Sequence, residues 1–215
     1  MYIHIKNFLD RLIAFFALVI LMPLFAILMV AIKLDSEGPV FFRQKRVGIH
    51  KIPFYILKFR TLRIDTPQDI PTHLLYHAED YITKVGRFLR RTSLDELPQL
   101  INIVKGDMAI VGPRPALWNQ QDLILERDKY GANDVRPGLT GWAQVNGRDV
   151  LDIHVKARYD GEYVKKIGPL MDCKCFLLSF LKVLRGDGVM EGRATYAESE
   201  RNAAKSAQHI DPGKK

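Results

Sequence analysis

The 215-residue sequence has only two cysteines, Cys173 and Cys175, and they lie one residue apart. A disulfide this short would constrain almost no chain, and two thiols alone cannot complete a zinc site. The pattern therefore predicts free thiols in a reducing compartment. The sequence also lacks the glycine-rich phosphate cradles G-x-x-x-x-G-K-[ST] and G-x-G-x-x-G, so any nucleotide must be held by other means.

Acidic residues are outnumbered, with 24 Asp and Glu against 32 Lys and Arg, for a formal net charge of +8. This excess predicts attraction to polyanions, which include nucleic acid, anionic lipid and phosphate-bearing substrates. Charge alone does not choose among them. The length and the 47% hydrophobic content allow one ordinary domain with an appendage.

Charge is absent from residues 12–32, an apolar run long enough to cross a bilayer as a straight helix of roughly 30 Å. A transmembrane anchor is one interpretation, and the run is too long for the core of a signal peptide. However, Pro23 near the midpoint predicts a bend, and basic residues flank both ends. These features favour a re-entrant helix that enters the membrane, bends and returns to the same face.

The rest of the chain predicts an α+β domain with a short antiparallel β element and several helices. Residues 38–63 indicate a β-hairpin with its turn near residues 48–50, and its second strand places Lys58 and Arg60 on one face. The basic face of this hairpin could equally be a solvated edge that deters aggregation. The spacing also predicts helices over residues 82–89 and 97–104, followed by a strand after Gly106. Residues 135–148 are predicted to form a loop that contains several glycines. A last helix is predicted over residues 169–186, and it is either buried or amphipathic at the membrane interface. His73 and His77 have the spacing of helical metal ligands, but we assign them to an ordinary surface.

Asp95 and Glu96 form an adjacent carboxylate pair in a basic neighbourhood. Ser93-x-x-Glu96 fits a helix capping box, but Pro98 would then lie inside the helix, so the helix either bends or begins nearer Leu97. Alternatively, the pair could bind a divalent metal that faces a phosphate, or the Asp could attack phosphorus directly. Arg114, between two prolines, offers a planar guanidinium suited to bidentate phosphate contact.

Four ordered motifs carry a resemblance to a known family: "KFRT" at 58–61, "SLDELPQLINIVKGDM" at 93–108, "VGPRP" at 111–115 and "RPGLTGWAQVNGR" at 136–148. Together they resemble the bacterial sugar transferases, the monotopic phosphoglycosyl transferases, from the apolar N-terminal segment to about residue 192. The sequence is similar to the small catalytic core of that family, without the extra N-terminal spans of larger relatives.

The resemblance implies transfer of a sugar 1-phosphate from a UDP-sugar to polyprenyl (undecaprenyl) phosphate, with release of UMP, as the first membrane step of capsule, exopolysaccharide or other glycoconjugate synthesis. It implies that Asp95 is the nucleophile in a covalent aspartyl-phosphosugar intermediate, that Glu96 is its partner, and that both hold Mg²⁺. Pro23 matches the family's membrane kink, although Met22 replaces the Ser that many relatives carry before it. The residues that the resemblance assigns to substrate or phosphate binding are Lys58, Arg60, Arg90, Asp107, Arg114, Arg136, Gln144 and Arg148.

The expected organisation is a re-entrant membrane helix hairpin over residues 1–36, a catalytic domain over 37–192 at the cytoplasmic face of the bacterial membrane, and a polar tail over 193–215. The alternative function is a membrane-anchored basic binding protein for anionic lipid or nucleic acid without catalysis, and a structural scaffold is a third. On the enzyme interpretation, nucleic acid is not a partner.

The oligomeric state stays open, a homodimer included. The sugar is not readable from the sequence, and analogy alone favours an N-acetylated amino sugar.

Overall fold

The computed structural model describes residues 2–66, 78–147 and 151–185. Arg148, the two histidines His73 and His77 and the tail over 193–215 lie outside the described residues. The helices are α1 (Tyr2–Asp35), α2 (Ala78–Tyr81), α3 (Lys84–Arg91), α4 (Gln99–Lys105), α5 (Gln121–Asp128), α6 (Trp142–Asn146), α7 (Ile153–Lys165) and α8 (Pro169–Arg185). The strands are β1 (Phe41–Val47), β2 (Pro53–Phe59), β3 (Ala109–Val111) and β4 (Gly138–Thr140). The mixed α+β class is as predicted.

Helix α1 is long and apolar enough to cross a membrane, as judged by length and composition. Pro23 lies inside it without ending it. One side of α1 packs on the domain through buried residues such as Ala14, Phe25 and Ile32. The other side exposes large apolar side chains, namely Phe8, Leu12, Ile13, Phe15, Phe16, Val19, Ile20, Met22, Ile27, Val30 and Leu34. Two apolar faces on one helix suit a segment that contacts protein on one side and lipid on the other.

Both ends of α1 contact the folded domain. Near the N-terminus, the Lys6 ammonium lies 2.9 Å from Asp10 and 3.0 Å from Asp172 of α8, and all three side chains are largely buried. Near the C-terminus, an Asp35 oxygen accepts a 2.9 Å hydrogen bond from the Val85 N–H at the start of α3. The first and last turns of α1 are therefore held by the same folded unit.

Strands β1 and β2 form the predicted antiparallel hairpin, with Phe41 opposite Phe59 and Val47 opposite Pro53. The turn between them includes His50 and Lys51, both with positive φ. Among the described residues this sheet has two strands, so within them one edge of β2 pairs with no other strand. The phenyl ring of Phe59 packs under α1 against Phe25, with 5.2 Å between ring centroids.

Helices α3 and α4 follow near the predicted positions. Thr83 caps α3 by accepting a hydrogen bond from the Gly86 N–H, and Gly106 ends α4 in the left-handed region with φ of 90°. Beneath α1, the side chains of Leu100 and Ile103 from α4 join Ala14, Ile56 and Met108 in one hydrophobic cluster. This packing fixes α4 against both α1 and the hairpin.

The second half of the domain differs from the prediction. Strands β3 and β4 pair in parallel, and residues 135–148, expected to be loop, contain β4 and α6. Helices α5 and α7 were not predicted. Helix α8 is present as expected, with Met171 and Cys175 buried and with exposed apolar residues on its other side: Leu170, Phe176, Leu177, Phe180 and Leu181.

Candidate active site

The carboxylate pair, Asp95 and Glu96, lies in a short 3₁₀ turn over Leu94–Glu96, between α3 and α4. Ser93 enters this turn with φ of 57° and makes no side-chain capping bond, so the predicted capping box is wrong. Helix α4 instead begins at Gln99 with Pro98 as its cap, which confirms the alternative of a later helix start. The pair therefore sits at an irregular helix entrance, where backbone geometry can aim both side chains at one place.

Two cations bind Glu96. The Lys58 ammonium lies 2.7 Å from its Oε1, and a guanidinium nitrogen of Arg114 lies 3.0 Å from the same atom. The three side chains are between 17% and 30% exposed, so this cluster opens partly to solvent. Burial opposes ionisation of Glu96, but Lys58 and Arg114 outweigh burial and hold its pKa well below the usual range. Glu96 is thus an ionised carboxylate whose Oε1 is fully engaged.

Asp95 differs from Glu96 in its bonding and in the direction of its pKa shift. Among the residues that the structure describes, it makes no hydrogen bond or ion pair. Burial raises its pKa above the usual value and the charge on Glu96 adds to this, while Lys58, Arg90 and Arg114 act in the opposite direction. A carboxylate whose lone pairs are not used by donors is free to bind a metal or to attack an electrophile.

The loop that carries Arg114 is held from both sides. From one side, the Gly138 N–H donates to the Pro113 carbonyl at 2.9 Å. From the other, Arg46 of β1 donates to the Pro115 carbonyl at 3.0 Å, and the Val47 N–H donates to Ala116 at 3.0 Å. Two prolines limit the backbone further. The guanidinium of Arg114 is therefore presented to Glu96 by a fixed turn.

Arg90 approaches the pair from α3. Its Nε donates to the Thr61 hydroxyl at 2.9 Å, and its charge favours ionised Asp95. Lys58, Arg90 and Arg114 thus come from a strand, a helix and a loop that are distant in sequence. The structure brings these three predicted residues to the carboxylate pair.

Arg60 does not join this group, and its assignment to phosphate binding stays a prediction. Strand β2 ends at Phe59, so the strand period that would place Arg60 beside Lys58 does not extend to it. Arg60 is 5% exposed, and its guanidinium donates to the Ser36 and Glu37 carbonyls, both at 2.6 Å. Arg60 joins the end of α1 to the end of the hairpin.

The other predicted residues lie apart from the pair. Arg136 lies near Arg11, Asp10 and Asp107, at the N-terminal half of α1, and burial lowers its pKa. Gln144 of α6 donates to the Leu139 carbonyl of β4. Their roles with substrate stay predictions.

Asn102 is a polar residue at the site that the sequence analysis missed. It is 2% exposed, in α4, and its amide bonds to β2 and to Asp107. Asp107 accepts from Asn102 at 3.2 Å, and its role with substrate stays a prediction. No pattern in one sequence marks such a residue, because a single Asn in a helix resembles an ordinary surface position.

The carboxylate pair has the donor atoms that Mg²⁺ prefers. Within the described part of the chain, no group of three or more His, Cys, Asp or Glu could hold a metal ion by itself. Asp95 and the second oxygen of Glu96 offer carboxylate oxygens to a metal whose other ligands come from elsewhere. Mg²⁺ is commonly bound in this way, by one or two carboxylates together with substrate phosphates and water.

The sequence matches the family model described as "Bacterial sugar transferase" over residues 1–186. It is 41% identical over 175 residues to "Uncharacterized sugar transferase EpsL" of Bacillus subtilis (strain 168), which covers 81% of this chain and 84% of the relative. It is 38% identical over 182 residues to "UDP-glucose:undecaprenyl-phosphate glucose-1-phosphate transferase" of Xanthomonas campestris pv. campestris, covering 81% of this chain.

A third relative, "UDP-N-acetylgalactosamine-undecaprenyl-phosphate N-acetylgalactosaminephosphotransferase" of Aeromonas hydrophila, is 36% identical over 196 residues, or 87% of this chain. The matched regions span 38% of the Xanthomonas protein and 45% of the Aeromonas protein. The chain therefore spans less than half the length of these two relatives, whereas it spans most of the Bacillus protein.

Proposed function

This chain belongs to the bacterial sugar transferase family, and we propose that it transfers a sugar 1-phosphate from a UDP-sugar to undecaprenyl phosphate, with release of UMP. The observation that carries the proposal is the contrast within the carboxylate pair. Glu96 is bound by two cations, whereas Asp95, one residue away, makes no such bond within the described residues. This arrangement suits a nucleophile beside a fixed electrostatic partner.

In the proposed first half-reaction, an Asp95 oxygen attacks the β-phosphorus of the UDP-sugar. The bond between that phosphorus and the bridging oxygen breaks, and UMP leaves with the bridging oxygen and its electron pair. The product on the enzyme is an acyl phosphate that carries the sugar. Arg90 and Arg114 lie where they can offset negative charge as UMP departs.

In the second half-reaction, a phosphate oxygen of undecaprenyl phosphate attacks the same phosphorus. The bond to Asp95 breaks, which restores the carboxylate and yields undecaprenyl diphosphate sugar. One carboxylate thus serves first as nucleophile and then as leaving group, and the site needs no second nucleophile.

Asp95 and Glu96 would hold Mg²⁺. When bound there, the ion would neutralise charge on the diphosphate of the donor. Lys58 and Arg114 would keep Glu96 ionised and oriented for that task, since they occupy one oxygen and leave the other available.

The membrane arrangement follows from α1 and α8. Both ends of α1 contact the domain, and both helices expose apolar side chains on their outer sides. We infer that α1 enters the bilayer without placing its N-terminus on the opposite face, and that α8 lies at the headgroup level on the cytoplasmic side. The site would then meet a soluble donor and a lipid-borne acceptor at one surface.

The test is UMP release by purified protein with undecaprenyl phosphate, Mg²⁺ and a panel of donors that includes UDP-glucose, UDP-galactose and UDP-N-acetyl sugars. We expect UMP and a lipid-linked product with at least one donor, and loss of both in excess EDTA with recovery on adding Mg²⁺. Absence of UMP with every donor, together with salt-dependent binding of DNA or anionic vesicles, would instead favour the binding-protein alternative. Full turnover in EDTA would exclude the metal.

A further inference from the structure

We propose that Asn102 is a positioning residue that holds Lys58 against Glu96, an inference that rests on the proposed function of the carboxylate pair. Asn102 lies in α4, which begins three residues after Glu96. Two of its side-chain partners, Tyr55 and Leu57, lie in β2, the strand that carries Lys58. It therefore connects the two elements whose relative position sets the distance between Lys58 and Glu96.

The Asn102 amide bonds to the free edge of the hairpin. Its Oδ1 accepts from the Leu57 N–H at 3.0 Å, and its Nδ2 donates to the Tyr55 carbonyl at 2.8 Å. These two backbone groups face away from β1, and a neighbouring strand would normally satisfy them. A side-chain amide does so here because it has one acceptor and one donor, like a peptide group.

The partners of the Asn102 side chain require both a donor and an acceptor, which an amide provides. The Leu57 N–H needs an acceptor, whereas the Tyr55 carbonyl and the Asp107 carboxylate both need a donor. Asp at position 102 would have the same shape, but its second oxygen would face a carbonyl and another carboxylate. Such a buried mismatch is unfavourable, and we expect it to move β2 relative to α4.

A small movement of β2 matters because Lys58 directly follows Leu57. The Lys58 ammonium lies 2.7 Å from Glu96, a distance that a shift of the strand by one ångström would change substantially. Asn102 is buried, and within the described residues its side chain makes no hydrogen bond to Asp95 or Glu96. Its effect on the reaction would therefore pass through Lys58.

Asn133 provides a matched control. It is also buried, and its Nδ2 donates to a carbonyl, that of Ile124, and to a carboxylate, that of Asp128, both at 2.8 Å. Asn133→Asp thus removes the same kind of donor and places a carboxylate beside the same kinds of acceptor. Its partners belong to α5 and not to the carboxylate pair.

The experiment compares wild type, Asn102→Asp, Asn133→Asp, Lys58→Met and the double variant Asn102→Asp/Lys58→Met in the UMP-release assay. We expect both Asn variants to lower the melting temperature. Only Asn102→Asp should lower kcat, by about 10- to 100-fold, with KM for the UDP-sugar changed by less than about twofold. In the Lys58→Met background, Asn102→Asp should add little further loss, because the contact through which it acts is already absent.

A second readout does not depend on turnover. Reductive methylation of Lys58, followed by peptide mass spectrometry, should be slow in wild type because its amine is paired and 17% exposed. It should become several-fold faster in Asn102→Asp and stay unchanged in Asn133→Asp. If Asn102→Asp does not fold, Asn102→Ala removes the same bonds without adding charge and gives the same comparison.

The inference is overturned if Asn102→Asp behaves like Asn133→Asp in kcat and in Lys58 methylation, or if its effect on kcat is fully additive with Lys58→Met. Failure of the proposed function is distinguishable, because wild type would then release no UMP. In that case the methylation comparison alone would decide whether Asn102 holds Lys58 against Glu96.

Discussion

Two clusters of ion-paired side chains in this domain differ in how far they are exposed to solvent. In the first, Glu96 binds Lys58 and Arg114, and these side chains are 17–30% exposed. They lie beside Asp95, which makes no hydrogen bond or ion pair within the described part of the chain. In the second, Arg127 of α5 donates twice to one oxygen of Asp160 of α7, at 2.8 and 2.6 Å. The side chains of the second pair are only 4% and 1% exposed.

The difference in exposure between the two clusters supports the proposal that the cluster at Glu96 is the reactive one. The Arg127–Asp160 pair is almost completely buried and joins two helices, so its role is to fix the packing of α5 on α7. The cluster at Glu96 opens to solvent and includes a carboxylate without a protein partner among the described residues. A closed ion pair stabilises structure, whereas an open one beside a free carboxylate can bind and react.

The largest expected effects are a loss of activity on substitution in the Glu96 cluster and a loss of stability on substitution in the Arg127–Asp160 pair. Asp95→Asn removes the proposed nucleophile without changing size, so we expect UMP release to fall at least about a thousandfold with little change in melting temperature. Asp160→Asn leaves the Arg127 charge buried without a counterion, which costs roughly 3–5 kcal/mol of stability. The fraction that remains folded should keep its activity.

Steady-state rates per folded protein, with melting curves for both variants, check this prediction. An Asp95→Asn protein with more than a tenth of wild-type activity would remove Asp95 as nucleophile. An Asp160→Asn protein that is stable but inactive would show that the closed pair also serves the reaction.

A second, smaller effect compares the two arginines. Arg114→Lys keeps the charge but loses the planar guanidinium, and we expect about a tenfold loss of kcat/KM with nearly unchanged stability, because the side chain is 30% exposed. Arg127→Lys should instead lower the melting temperature and leave kcat/KM unchanged. Normal catalysis by Arg114→Lys would remove that residue from the site.

The sequence allowed prediction of the carboxylate pair, the hairpin and the cations Lys58 and Arg114, because their motifs are contiguous or follow a strand period. The position of Arg60 was not predictable, since it depends on β2 ending at Phe59, before the alternating pattern does. Asn102 was missed for a related reason. Its partners in β2 lie 45 and 47 residues away, and only tertiary packing brings them together.

A third prediction concerns the side of the membrane on which the N-terminus of α1 lies. The buried ion pair of Lys6 with Asp172 holds the start of α1 on the domain. Cysteines placed at Ile3 and at the exposed Lys129 should both resist a membrane-impermeant thiol reagent in intact cells. Pro23→Leu should make the cysteine at position 3 partly reactive, because a straight helix of about 21 apolar residues can cross the bilayer. Labelling of the position-3 cysteine without Pro23→Leu would show a true span and contradict the one-sided arrangement.

The smallest expected effect concerns the two native thiols. Cys173 is exposed and Cys175 is buried, and burial raises the pKa of the Cys175 thiol to about 11. Since the thiolate is the reactive form, iodoacetamide at pH 8 should modify Cys173 and leave Cys175 unmodified until the protein is unfolded. Equal labelling of both in the folded, detergent-solubilised protein, measured by peptide mass spectrometry, would place Cys175 outside the core.

The central claim is that Asp95 becomes covalently bound to the sugar phosphate. Wild type incubated with an accepted, labelled UDP-sugar and Mg²⁺, without undecaprenyl phosphate, should release UMP in an amount that approaches the enzyme concentration. The label should remain on the peptide that contains Asp95 and should be lost on adding undecaprenyl phosphate. Turnover with both substrates, but with no UMP burst and no label on Asp95 in the absence of the acceptor, would contradict the account and indicate direct transfer.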